Sequence, residues 1–282
     1  MIPDRRFVDL PKHFWANIRT ISQHLGYTAR GTGQIAIPTV EKMGDSMVEL
    51  GLSASHLVGE RGSPTKLGRL IHDYFKHRAA VLNLFVEPRL MDVERAKAMF
   101  EKLQKQYSTK RVPPMNKQKG EKKAPAYFTN CINMLIEANA EGLPCDYDPR
   151  ELTTVTFNNA PLRTLARRVG GAFPAPVNPI AVWEIKEYYY TTTFGSRVAD
   201  GVYESLLDGM ELDELRHEEK IDVKHYLMVD SHSTWWKCGR SYLCRILDML
   251  HMGYVDEVLF GSEIEERLPS IVRQWVSIAK TQ

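Results

Sequence analysis

What most limits the fold of this chain is the alternation of β-rich runs with amphipathic helical stretches after residue 126. Phe128, Cys131, Ile132, Leu135 and Ile136 repeat at i, i+3, i+4, i+7 and i+8, so the spacing predicts a helix over 126–139. Leu162, Leu165, Ala166 and Val169 suggest a helix over 160–169, stopped by Gly170-Gly171. Ile180 to Tyr190, bounded by Pro179, reads as a strand. Val198, Val202 and Leu206 mark a helix over 197–208, and 224–230 is a strand. A helix around Leu243–Leu250 closes at Gly253, a strand covers Val255–Phe260, and a last helix runs from Glu263 to Ala279. Strands separated by helices call for an α/β layer with a partly parallel sheet.

The first hundred residues carry helical spacing only. Phe14, Ile18, Ile21 and Leu25 share one face; Val40, Met43 and Met47 mark a second helix ending near Gly51. Leu67, Leu70, Ile71, Tyr74 and Phe75 form a third, with Ser63-Pro64 as its expected cap. Val93, Ala96, Phe100 and Leu103 form a fourth, capped by Asp92. The run from Thr39 to Leu57 loosely resembles helix-turn-helix spacing; a helical scaffold or dimerisation domain fits equally. Between Lys102 and Lys123 lie eight basic residues against one acid, with Pro113, Pro114 and Gly120 among them. That stretch reads as a solvated connector or as a basic arm contacting phosphate. The expected organisation is a helical domain at 1–107, a linker at 108–125 and an α/β core at 126–282.

Composition excludes several classes. Apolar types make up 43% and charged types 26% of 282 residues, which rules out wholesale disorder, and no apolar run is long enough to cross a bilayer. The opening MIPDRRFVDLPKHFW has no secretory h-region, and Cys131, Cys145, Cys238 and Cys244 show no zinc spacing. The expectation is a cytoplasmic protein with reduced thiols. P-loop, dinucleotide, H-E-x-x-H and G-x-S-x-G signatures are all absent.

One segment stands out: Asn178-Pro-Ile-Ala-Val-Trp-Glu-Ile-Lys-Glu187. Alternation along a strand puts Glu184 and Lys186 on one face and Ile185 and Glu187 on the other. An acid and a lysine inside an apolar strand are costly to bury without a purpose. Such a carboxylate suits a divalent metal, and such a lysine suits an attacking water or a developing negative charge.

On this Glu184-Ile-Lys186 element, and on the order of helices and strands around it, the chain resembles the PD-(D/E)XK nuclease superfamily over roughly residues 126–282. The resemblance implies a restriction-endonuclease-like mixed sheet flanked by helices, preceded here by the helical domain. It implies a Mg2+- or Mn2+-dependent endonuclease acting on double-stranded DNA, with Glu184 on the metal, Lys186 at the water and a homodimer to cut both strands. The chain departs from the family in its upstream acid, because no Asp or Glu occurs between Glu151 and Glu184. Asn178 takes the short-spaced position; Glu137, Asp148 and Glu151 are the other candidates. Arg163, Arg167, Arg168, Arg197 and Lys237 are the expected DNA contacts. Asp200, Glu204 and Asp208 read as the solvated side of their helix. A nuclease-like core that has lost its acid, and serves as a non-catalytic nucleic-acid-binding regulator, is the alternative.

Overall fold

The computed structural model describes residues 1–108, 114–116, 124–191 and 195–281. The chain opens with α1 (Lys12–Leu25), α2 (Val40–Glu49) and α3 (Lys66–Val81), and α3 runs through a π-helical turn into the short α4 (Glu87–Arg89). Helices α5 (Val93–Gln106) and α6 (Tyr127–Asn139) follow, then a hairpin of β1 (Thr154–Phe157) and β2 (Ala160–Thr164). The rest runs β3 (Gly171–Phe173), β4 (Ala181–Glu187), α7 (Ser196–Glu218), β5 (Lys224–Asp230), α8 (Arg240–His251), β6 (Glu257–Phe260) and α9 (Glu263–Ala279). Strands β3-β4-β5-β6 lie side by side in that order, with β3 antiparallel to β4 and the other pairs parallel. The fold is therefore mixed α/β. Among the described residues no helix is long and apolar enough to cross a membrane.

Both faces of this sheet are covered, which is why its strands read as near-continuous apolar runs. On one face Trp183, Tyr226, Met228 and Leu259 pack with α5, α6 and α9, and Trp183 stacks on Trp275 with ring centres 5.5 Å apart. On the other, Leu227, Val229, Val258 and Phe260 pack with α8, the first turns of α7 and the end of α3. A third cluster joins α1, α2 and α3. It is fastened to α8 by a buried polar knot: Arg78 donates to both oxygens of Asp248 at 3.1 Å, and Tyr74 donates to Asp248 Oδ1 at 2.6 Å.

Several expectations change. Residues 160–164 form a strand, because Asn158 and Asn159 both adopt positive φ, 51° and 62°, and make a tight turn between β1 and β2. Gly170-Gly171 is no helix stop; a Cβ on Gly171 would sit 2.2 Å from the Trp183 ring, so only glycine lets β3 cross there. Helix α7 runs on to Glu218, ten residues past its expected end. Thr65 caps α3 by accepting from Gly68 N, in place of Ser63-Pro64. No second helix follows the Gly51 turn, where Ser53 bonds Ser55 locally, so helix-turn-helix geometry is absent at 39–57. Lys102 and Lys105 belong to α5; apart from 114–116, the basic stretch from 109 to 123 lies outside the described residues. The four cysteines are free thiols.

Two outcomes follow from the Arg78–Asp248 knot and its neighbours. Arg78→Ala leaves a buried carboxylate without its cation and should cost about 3–5 kcal/mol in urea unfolding, whereas Arg78→Met with Asp248→Leu should recover much of that loss. His77, whose Nε2 lies 3.3 Å from His251 Nε2 beside Asp4 and Arg6, is held neutral by burial and by His251, its pKa lowered from 6.5 to about 4. The unfolded chain therefore binds the extra proton first. Stability should fall as pH drops from 6.5 towards 4, with a shallower fall in His77→Gln when unfolding midpoints are followed against pH.

Candidate active site

Glu184 and Lys186 sit on β4 between two neighbouring strands, and each is only 5% exposed. They share the face that carries Val182, the face turned towards α7. Lys186 can lie down there because α7 has a glycine opposite: a Cβ on Gly201 would come within 3.3 Å of the Lys186 stem and 2.8 Å of the Tyr188 hydroxyl. Lys186 Nζ then donates to Glu184 Oε2 at 2.9 Å and to Glu204 Oε2, from α7, at 3.1 Å.

A second cation completes the group. Arg167, in the segment between β2 and β3, donates from Nη1 to Glu184 Oε1 at 3.0 Å and to Asp208 Oδ2 at 2.5 Å. Its Nη2 donates to Glu204 Oε2 at 3.4 Å. Glu184 and Asp208 thus accept from one nitrogen, and their oxygens lie within two hydrogen-bond lengths of each other. Asp208 is fully buried, and its Oδ1 has no hydrogen-bond partner among the described residues.

The charges balance unevenly. Burial works to raise the Glu184 carboxyl, but Lys186 and Arg167 outweigh it and hold the group below its ordinary value. Burial works to lower Lys186, and Glu184, Tyr188 and Glu204 reverse that, so the ammonium persists. Asp208 is pushed up to about 7 by burial, which the Arg167 charge only partly offsets, and the Glu184 charge adds to the rise. Perturbed carboxyls and a charged lysine gathered at one spot make this group the candidate functional site.

Glu184 and Arg167 open on a cleft of about 320 Å3, lined besides by Asp148, Pro149, Arg150, Arg168, Val169 and Gly170; Lys186, Glu204 and Asp208 lie behind that lining. Arg150 pairs with Asp148 at 2.8 Å, and Arg168 is exposed with no ion pair among the described residues. The rim is tied to the acidic stripe of α7: Arg163 donates to Glu214, and Ala166 N donates to Glu211.

Not every expected residue is here. Asn178 is a turn residue, with φ of 52°, whose carboxamide accepts from Thr156 N at 2.8 Å; it holds the hairpin and lies outside the cleft. Glu137 is exposed on α6, across the sheet from Glu184. Glu151 is exposed outside the cleft lining, whereas Asp148 is part of it. Arg163 is engaged by Glu214 and Glu218. Lys237 is exposed and away from the lining, beside Trp235 and Trp236, which are buried in the core. Arg197 stands in the first turn of α7, and its side chain lies outside the described residues, as do Thr192, Thr193 and Phe194.

Asp208 and Glu204 are the residues that an upstream search for the acid misses. Their signal was the spacing Glu204, Asp208, Glu211 along the helix that follows the Glu-x-Lys strand. That spacing places all three on one helix face.

Two carboxylates with room for water and phosphate oxygens are the donor set that Mg2+ takes. Asp208 Oδ1 is an unpartnered carboxylate oxygen next to Glu184, buried behind the cleft lining. Among the described residues no group of three or more His, Cys, Asp or Glu side chains is arranged to hold a metal, so an all-protein cage is absent.

Against known proteins, residues 1–85 match the family model described as Domain of unknown function (DUF7690), and residues 91–275 match Domain of unknown function (DUF7687). No curated protein and no solved structure gives a significant match. The second match spans well over half of the chain, from the start of α5 through most of α9, so the chain belongs to the DUF7687 family.

Proposed function

We propose that the protein is a Mg2+- or Mn2+-dependent endonuclease hydrolysing phosphodiester bonds in double-stranded DNA, of type II restriction kind, on a restriction-endonuclease-like core. One observation carries the reading. Glu184 and Lys186 lie buried side by side on β4, Glu184 shares Arg167 with Asp208 of α7, and Glu184 and Arg167 line an open, arginine-edged cleft with Lys186 and Asp208 directly behind them. In this reading Asp208, from the helix that follows β4, takes the part of the acid that PD-(D/E)XK nucleases carry upstream.

In this reading Glu184 and Asp208 hold the ion, which when bound neutralises phosphate charge and lowers the pKa of a water. Lys186 has three protons on Nζ. Two are directed at Glu184 and Glu204, and the third is left for the attacking water or a phosphate oxygen. Arg168 grips the DNA backbone at the cleft mouth. Cutting both strands calls for a second copy, and a two-fold homodimer matches the symmetry of the duplex.

One observation favours the second reading, a non-catalytic DNA-binding regulator: Glu184, Glu204 and Asp208 already have cationic partners in Arg167 and Lys186. A supercoiled-plasmid assay with Mg2+ and Mn2+ separates the two. The hydrolase reading expects cleavage abolished by EDTA. DNA binding without cleavage in either metal would leave the regulator.

Glu184→Gln, Lys186→Met and Asp208→Asn should each lower the cleavage rate by about a hundredfold or more, with circular dichroism and DNA affinity near wild type. Normal cleavage by Glu184→Gln would rule the site out. Arg168→Ala should weaken binding to all duplexes alike and reduce the slope of log affinity against log salt by about 1, read by fluorescence anisotropy.

A further inference from the structure

Arg167 occupies an unusual place. Its guanidinium lies between the two carboxylates that the hydrolase reading assigns to the metal, and one nitrogen serves both. As a substitute for a metal it is incomplete, since it satisfies Asp208 Oδ2 and leaves Oδ1 buried without a partner. It stands on the loop between β2 and β3, outside any helix or strand, and its side chain is 24% exposed, on the cleft wall beside Arg168. A guanidinium also suits a phosphate, which it can grip through two parallel N–H bonds.

We infer that Arg167 is a displaceable internal counter-ion. It holds Glu184 and Asp208 together in the free protein and blocks divalent-cation binding. It moves onto a backbone phosphate when DNA enters, so that metal and substrate load together. This rests on the hydrolase reading of the same site. The exchange is balanced without any bond being made or broken: the guanidinium charge leaves the carboxylates for the phosphate, and the cation takes the oxygens it vacates. Arg167 is thus a positioning residue for loading. A protein built this way binds metal weakly without DNA, and the two ligands strengthen each other by the same factor.

The test measures Mn2+ binding by calorimetry to the full chain, with and without a short phosphorothioate duplex that resists hydrolysis. Wild type should bind Mn2+ weakly alone and markedly tighter with the duplex. Arg167→Gln should bind Mn2+ about tenfold tighter than wild type without DNA, and should lose most of the duplex effect. Arg167→Lys keeps the charge and should stay as weak as wild type without DNA; it also serves as the reference if the glutamine variant is poorly folded. Equal Mn2+ affinity of wild type and Arg167→Gln, or tighter binding by Arg167→Lys than by wild type, overturns the inference. If that equality holds while Glu184→Gln still abolishes plasmid cleavage, the hydrolase reading survives alone. If no Mn2+ binding is measurable with or without the duplex and wild type does not cleave, both fall.

Discussion

Three carboxylates and two cations share the gap between β4 and α7, and the arrangement around them follows from keeping that group together. Buried charges of one sign alone are prohibitive, whereas interleaved charges with direct hydrogen bonds are tolerable. Lys186 meets Glu184 and Glu204, and Arg167 meets Glu184, Glu204 and Asp208, so Glu184 and Glu204 each have two cationic partners. Three separate segments must converge for this: an interior strand, the helix after it and the loop before β3. The sheet fixes the strand, and the apolar side of α7 fixes the helix through Val198, Val202, Leu212 and Leu215.

Most of the second half was legible from periodicity. The helix at 263–279 and the strand at 224–230 stand where the spacing put them, because long amphipathic and β-rich runs bounded by turn residues leave few alternatives. The stretch at 160–169 was not legible. Its leucines fit a helical stripe, and the competing signal, Asn158-Asn159, is a weaker turn marker than Asn-Gly. Tertiary contact then decided the outcome, since Leu165 and Val169 bury against α7 from a bent, non-helical segment.

At the site, alternation along β4 was enough to pair Glu184 with Lys186 and to send Glu187 to the opposite face, where it accepts from Thr129. The same rule could not place Asp208. On a helix wheel Glu204 and Asp208 look like any polar side, and only the crossing of α7 over β4 turns that side inward. Asn178 was misplaced for a related reason. A carboxamide next to proline can serve a metal or a turn, and positive φ assigns it to the turn.

The way the cleft rim is fastened has a mechanical consequence. Arg163, Ala166 and Arg167 meet Glu214, Glu211 and Asp208 in reverse order, so the rim runs antiparallel along the helix that also furnishes Glu204 and Asp208. The wall is stitched to that rod, whereas Glu184 at the base is held by the sheet. If that rod slid along its axis it would draw the rim past Glu184, and the opening of the recess would change with the slide.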